Sequence, residues 1–162
     1  MKFEEKLFDL GIVPVAALSK IEDAVPVAQA LINGGLPAIE VTFRTDIAAG
    51  VIHLIKQTFP NMLVGAGTLL TIDQVKQAIQ VGADFFVAPG FNRELIEQAW
   101  QYDIQFIPGC STASEIDNAI RNNIKLVKFF PAEASNARHY IPALNGPYPN
   151  MKYMPTGGVN LQ

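Results

Sequence analysis

Short apolar, β-prone runs alternate with amphipathic stretches along the whole chain. The runs fall at Val13–Leu18, Ala38–Phe43, Leu63–Thr68, Phe85–Pro89, Gln105–Gly109, Leu126–Phe130 and Lys152–Thr156, and their starts lie 20 to 26 residues apart. That is the length of one strand-plus-helix unit, repeated. A first helix is predicted over Lys2–Leu10, stopped by Gly11. Ile21-Glu22-Asp23-Ala24 leads into a second helix that ends at Asn33-Gly34-Gly35, a good stop signal. Thr71-Ile72-Asp73-Gln74 and Thr112-Ala113-Ser114-Glu115 both have capping-box spacing. Another helix opens at Asn92 or Arg93 and runs through Trp100, and Pro142 through Pro155 reads as a long loop.

Strands that alternate with helices so regularly imply a parallel sheet with right-handed crossovers. A closed TIM-type (β/α)8 barrel and an open doubly wound sheet both fit. The barrel is favoured, because no Gly-x-Gly-x-x-Gly follows the first strand and several strands carry polar residues near their C-terminal ends. Seven strands are found before the chain stops at Gln162, whereas such a barrel takes roughly 200 residues or more. The expectation is a single α/β barrel domain over residues 1–162 that is C-terminally truncated and lacks the eighth βα unit.

Composition narrows the function. At 162 residues and 49% hydrophobic, the chain can bury a real core. Its net charge of −3 gives no general attraction to nucleic acid or to membranes, so neither is expected as a partner. Cys110 is the single cysteine, which rules out an intramolecular disulfide. There is no apolar run of about 18 residues, and Met1-Lys2-Phe3-Glu4-Glu5-Lys6 lacks the apolar region of a signal peptide. A cytoplasmic protein is expected. His53 on a helix and His139 in a loop have no metal-ligand spacing, and no metal is expected. Cys110 and Trp100 read as core residues, and Lys125 as solvated.

Two charges stand out against this background. Lys128 lies inside Leu126-Val127-Lys128-Phe129-Phe130-Pro131, and Glu40 inside Ala38-Ile39-Glu40-Val41-Thr42-Phe43. An ammonium in such a run is costly unless it is paired or its pKa falls. A lysine of lowered pKa is a nucleophilic amine of the kind that forms Schiff bases with carbonyl substrates. Taken singly, Lys128 also fits an edge charge, and Glu40 a buried ion-pair partner. On the second strand Ala38, Glu40, Thr42 and Arg44 share one parity, which suits Glu40 to acid/base work and Arg44 to clamping a carboxylate or phosphate. Thr68, after Gly65-Ala66-Gly67, offers a hydroxyl to a substrate carboxylate. The backbone of Pro155-Thr156-Gly157-Gly158 offers an anion nest.

Six blocks occur in order: Glu40-Val41-Thr42-Phe43-Arg44-Thr45, Gly65-Ala66-Gly67-Thr68, Pro89-Gly90, Ile107-Pro108-Gly109, Lys128-Phe129-Phe130-Pro131-Ala132-Glu133 and Pro155-Thr156-Gly157-Gly158. Together they resemble the 2-keto-3-deoxy-6-phosphogluconate aldolase / 4-hydroxy-2-oxoglutarate aldolase family over nearly the whole chain. The resemblance implies a class I aldolase that needs no metal or other cofactor and assembles as a homotrimer. It implies Lys128 as the Schiff-base lysine and Glu40 as the general acid/base. It implies that Arg44 and Thr68 hold the substrate carboxylate, that Pro89 and Phe130 shape the pocket, and that Gly157 and Gly158 bind the phosphate. The implied substrate is a phosphorylated keto sugar acid, with 4-hydroxy-2-oxoglutarate as a second one. The alternatives are the 6-phosphogalactonate aldolase of the same family and an inactive barrel fragment. In that family a serine after the eighth strand completes the phosphate site, and no such segment occurs in this sequence.

Overall fold

The computed structural model describes residues 3–160 and is of the α/β class. Helix α1 (Phe3–Leu10) comes first and ends at Gly11, whose φ of 72° suits a residue without a Cβ. Seven strands follow: β1 (Val15–Ala16), β2 (Ala38–Thr42), β3 (Leu63–Gly67), β4 (Phe85–Val87), β5 (Gln105–Ile107), β6 (Leu126–Phe129) and β7 (Lys152–Pro155). Six helices separate them: α2 (Ala24–Asn33), α3 (Ala48–Thr58), α4 (Ile72–Gln80), α5 (Arg93–Trp100), α6 (Ala113–Arg121) and α7 (Ala137–Asn145).

The chain forms two compact units. The first runs to Val87 and takes in Arg93–Phe106; the second comprises Ala88–Asn92 and the chain from Ile107 onward. The first unit is organised by a sheet of order β1-β2-β3-β4-β5, in which β1 to β4 pair in parallel. Its strand β2 is buried at all five positions, as expected for a parallel strand covered on both faces. Helices α2 and α3 pack together, as do α4 and α5. Asp84 ties β3 to the start of β4: its carboxylate accepts from the Val64 amide and from Lys56 Nζ, each at 2.8 Å. The second unit is built on the parallel pair β6–β7, with α6 and α7.

Strand ends differ from the sequence expectation. β1 keeps two residues rather than six, because Pro14 has no N–H for a ladder; its carbonyl still accepts from the Glu40 amide at 2.8 Å. The other strands each end one or two residues early. Residues 21–23 form a 3-10 turn before α2 begins.

Three expectations are corrected. The loop expected from Pro142 is in part helix, because α7 runs to Asn145 with Pro142 inside it. Tertiary contact outweighs the proline penalty there: Leu144 is buried, and Tyr140 packs on Phe129 with ring centroids 5.8 Å apart. His139 therefore lies on a helix rather than in a loop. Trp100 is 40% exposed and not a core residue, because Leu95, Ile96 and Ala99 fill the buried face of α5 and Trp100 is its last residue. Cys110 is buried and Lys125 exposed, as expected. Among the described residues no helix is long and apolar enough to cross a membrane.

Both capping boxes form, at Thr71/Gln74 and Thr112/Glu115. The Glu115 carboxylate accepts from the Ser111 and Thr112 amides at 2.9 Å each and from the Thr112 hydroxyl at 2.8 Å. Burial pushes its pKa up, but the hydrogen bonds from Ser111 and Thr112 prevail and the net direction is down. A carboxyl whose folded pKa lies below its unfolded value adds stability above the unfolded value, and loses it as pH falls through the folded one. Glu115→Gln is expected to lower stability at neutral pH by about 0.5–1 kcal/mol, as for a half-exposed cap. It should also make stability less sensitive to acid below about pH 5. Urea unfolding of both proteins at neutral and acid pH checks this; a difference that stays constant across the range contradicts it.

Candidate active site

Among the described residues, the buried polar and charged side chains are Glu40, Thr42 and Lys128, at 0%, 1% and 3% exposure. The sequence-predicted residues divide between the two units. Glu40, Arg44 and Thr68 lie in the first; Pro89, Lys128, Phe130, Gly157 and Gly158 lie in the second.

In the first unit β1 holds β2 in place. The Glu40 amide donates to Pro14 and the Thr42 hydroxyl donates to the Ala16 carbonyl at 3.2 Å. Glu40 pairs with Gly65 and Thr42 with Gly67 across the β2–β3 ladder. Arg44 departs from the parity expectation: β2 ends at Thr42, and Arg44 sits exposed in the turn beyond it. Thr68 follows β3 with φ of 58°. A β-branched residue in the left-handed region is a true outlier, and such strain costs about 1–3 kcal/mol and gathers at functional sites. Hydrogen bonds on either side hold it there: Phe43 N–H donates to Gly67 O at 2.8 Å, and Leu69 N–H to Val87 O at 3.2 Å. Nothing in the sequence foretells this conformation.

In the second unit Lys128 is fixed along its backbone. Its N–H donates to Pro108 O at 2.9 Å and its carbonyl accepts from Cys110 N–H at 2.9 Å. On the other side it pairs with Met154 of β7. Val127 and Phe129 point to the opposite face and are fully buried. The Lys128 ammonium lies 5.5 Å from the centroid of the Phe130 ring, within cation–π range. The nearby Cys110 is no rival nucleophile: burial, followed by the Glu115 charge, pushes its thiol up to about 12.

The Lys128 strand also carries the diglycine turn. Thr156 N–H donates to Phe129 O at 3.0 Å, Ala132 N–H to Thr156 O at 2.8 Å, and Glu133 N–H to Gly157 O at 3.0 Å. Gly157 and Gly158 have φ of 96° and 76°, and a Cβ on Gly158 would meet the Glu133 Cβ at 2.5 Å. The turn thus needs glycine for conformation and for space. A groove beside it is lined by Glu133, Asn136, Arg138, His139 and Asn160.

Gly109 has a part that sequence reasoning missed. It bridges to Lys128, and a Cβ there would lie 2.7 Å from Gly90 N and nearer still to the Pro89 carbonyl. Its place in the Ile107-Pro108-Gly109 block was the available signal.

These features define a class: an α/β enzyme of parallel strands and helices with a lysine and a carboxylate buried in its strands. The comparisons with known proteins agree. The sequence profile of the KDPG and KHG aldolase family matches residues 3–162. The 2-dehydro-3-deoxy-phosphogluconate aldolase of Treponema pallidum is 44% identical over 157 residues, 97% of this chain and 75% of that protein. The KHG/KDPG aldolase of Escherichia coli is 40% identical over 149 residues, 92% of this chain and 70% of that protein. Among solved structures, the KDPG aldolase of Legionella pneumophila, with pyruvate captured as a covalent carbinolamine, superimposes with a TM-score of 0.88 at 38% identity. It covers 92% of this chain and 72% of its own. The fold is accordingly of the TIM type. The chain belongs to the KDPG and KHG aldolase family, and it is a carbon–carbon lyase.

Gly109→Ala is expected to destabilise the protein by about 1–3 kcal/mol, since the methyl has only backbone to displace. Gly146→Ala, where a Cβ meets only Ala143 O at 3.5 Å, serves as the control and should be near neutral. Urea midpoints compare the two; equal midpoints contradict the close approach at Gly109.

Proposed function

We propose that the protein is a class I aldolase. It cleaves 2-keto-3-deoxy-6-phosphogluconate to pyruvate and glyceraldehyde 3-phosphate, and also 4-hydroxy-2-oxoglutarate to pyruvate and glyoxylate. The observation that carries this reading is Lys128: an amine 3% exposed, held in a strand by backbone hydrogen bonds on both sides, in a member of this family.

The chemistry follows from the residue types. The Lys128 amine adds to the C2 ketone, and loss of water from the carbinolamine leaves a protonated imine. Glu40 supplies and removes protons in these steps. It then takes the proton of the C4 hydroxyl as the C3–C4 bond breaks. The bonding pair moves into the iminium, which becomes an enamine, and the C4 fragment leaves as the aldehyde. Protonation of the enamine at C3 and hydrolysis of the imine release pyruvate and regenerate the amine.

Arg44 and Thr68 are assigned the substrate carboxylate. A guanidinium suits its two oxygens, and the strained Thr68 suits a hydroxyl with a fixed direction. Pro89 and Phe130 are assigned the pocket wall, and the Gly157–Gly158 backbone the phosphate. Assembly as a homotrimer and cytoplasmic residence belong to the same reading.

Borohydride reduction with pyruvate, read by intact mass and peptide mapping, tests the proposal. One reduced pyruvyl adduct on Lys128 is expected. Lys128→Met should give no adduct and lower turnover by about four orders of magnitude or more. Cleavage activity that survives in a folded Lys128→Met protein overturns the assignment.

A further inference from the structure

Strand β3 presents no side chain at two successive positions of one face. Gly65 and Gly67 pair with Glu40 and Thr42 of β2, so all four share a side of the sheet. The space over Gly65 belongs to Phe85, its partner on β4: a Cβ there would lie 2.7 Å from Phe85 Cε1 and nearer still to Cζ. That ring is fully buried and is steadied by Phe3, whose ring centroid is 5.3 Å away. The space over Gly67 belongs to Glu40: a Cβ there would lie 2.6 Å from Glu40 Cγ, 2.7 Å from Cδ and nearer still to Oε1.

The two vacancies therefore do different things. Glu40 does not rest over its own partner Gly65, where an aromatic ring already sits. It leans along the strand direction onto Gly67, the last residue of β3. Gly67 has no conformational reason to be glycine, because it lies within a strand and is not among the positive-φ residues. A glycine in a strand forgoes side-chain packing and often marks a close approach, so the missing Cβ answers to what lies over it. We infer that Gly67 is a positioning residue for Glu40: its bare Cα, with Phe85 blocking Gly65, sets where the carboxyl group rests and hence which atoms it can exchange protons with. The inference rests on the assignment of Glu40 as the acid/base of the aldolase reaction.

Gly67→Ala tests it. The variant is expected to keep its fold by near-UV circular dichroism and to reach full pyruvyl trapping on Lys128, though more slowly. It should lose about 100-fold in kcat, with KM changed by less than about 3-fold. Its pH–rate profile should shift on the limb set by the acid/base group. Glu40→Ala provides the coupling measurement, because it removes the Cγ, Cδ and Oε1 that the new methyl would meet. The factor lost through Gly67→Ala should be at least about 10-fold smaller in the residual activity of the Glu40→Ala background.

Multiplicative losses in the double variant, or a Gly67→Ala enzyme with unchanged kcat and pH profile, overturn the inference. Glu40→Gln separates the two levels. If it stays active, the acid/base assignment itself fails; if it is inactive while Gly67→Ala is not, only the positioning role fails. Should Gly67→Ala not fold, Phe85→Leu decides, since it opens a second resting place over Gly65. Lowered kcat at constant KM supports the inference, and unchanged kcat overturns it.

Discussion

A lysine or a glutamate side chain taken out of water costs several kcal/mol if it stays charged, and this chain buries one of each within its strands. Lys128 and Glu40 are 3% and 0% exposed. Neither residue improves the fold by being there, since an apolar side chain of similar volume would pack into a parallel strand at lower cost. Much of the remaining structure can be understood as support for those two positions. Backbone hydrogen bonds and strand pairing hold each strand segment on both sides.

The support differs in kind between the two units. Around Lys128 it is mostly main chain. Pro108, Cys110 and Met154 fix the residue from two sides, and Ala132 and Glu133 extend the same hydrogen bonding to the 156–158 turn. The Lys-Phe-Phe-Pro-Ala-Glu block therefore joins two tasks: its first half presents the amine, and its second half holds the diglycine turn. Around Glu40 the support is partly vacancy, with two glycines of β3 ceding space to a carboxylate and a phenyl ring.

Much of this was legible in the sequence. The strand-helix alternation locates all seven strands, since a buried parallel strand must be a short apolar run and several of the helices between them carry a stop or cap signal. The two capping boxes are local chemistry and form as read at Thr71 and Thr112. Lys128 and Glu40 stand out because a charge within an apolar run violates the pattern around it. What stayed hidden depends on contacts distant in sequence. α7 survives Pro142 because Tyr140 finds Phe129, and Trp100 stays half out because its neighbours already fill the core. Thr68 gives no sign of its left-handed backbone, because that conformation is imposed by hydrogen bonds to other strands.

Residues that perform chemistry and residues that make room for it leave different marks on a sequence. The first kind is conspicuous by type, as a lysine or glutamate is among valines and phenylalanines. The second is glycine, which a reader assigns to turns by default because backbone freedom is its commonest use. Gly157 and Gly158 fit that habit, since their φ angles require it. Gly65, Gly67 and Gly109 do not: each lies in or beside a strand, and each marks a place that a ring, a carboxylate or a carbonyl occupies. Telling the two uses apart takes both the sign of φ and what a Cβ would meet, and Gly158 answers to both. A strand glycine with an ordinary backbone points outward, to the neighbour whose position it determines.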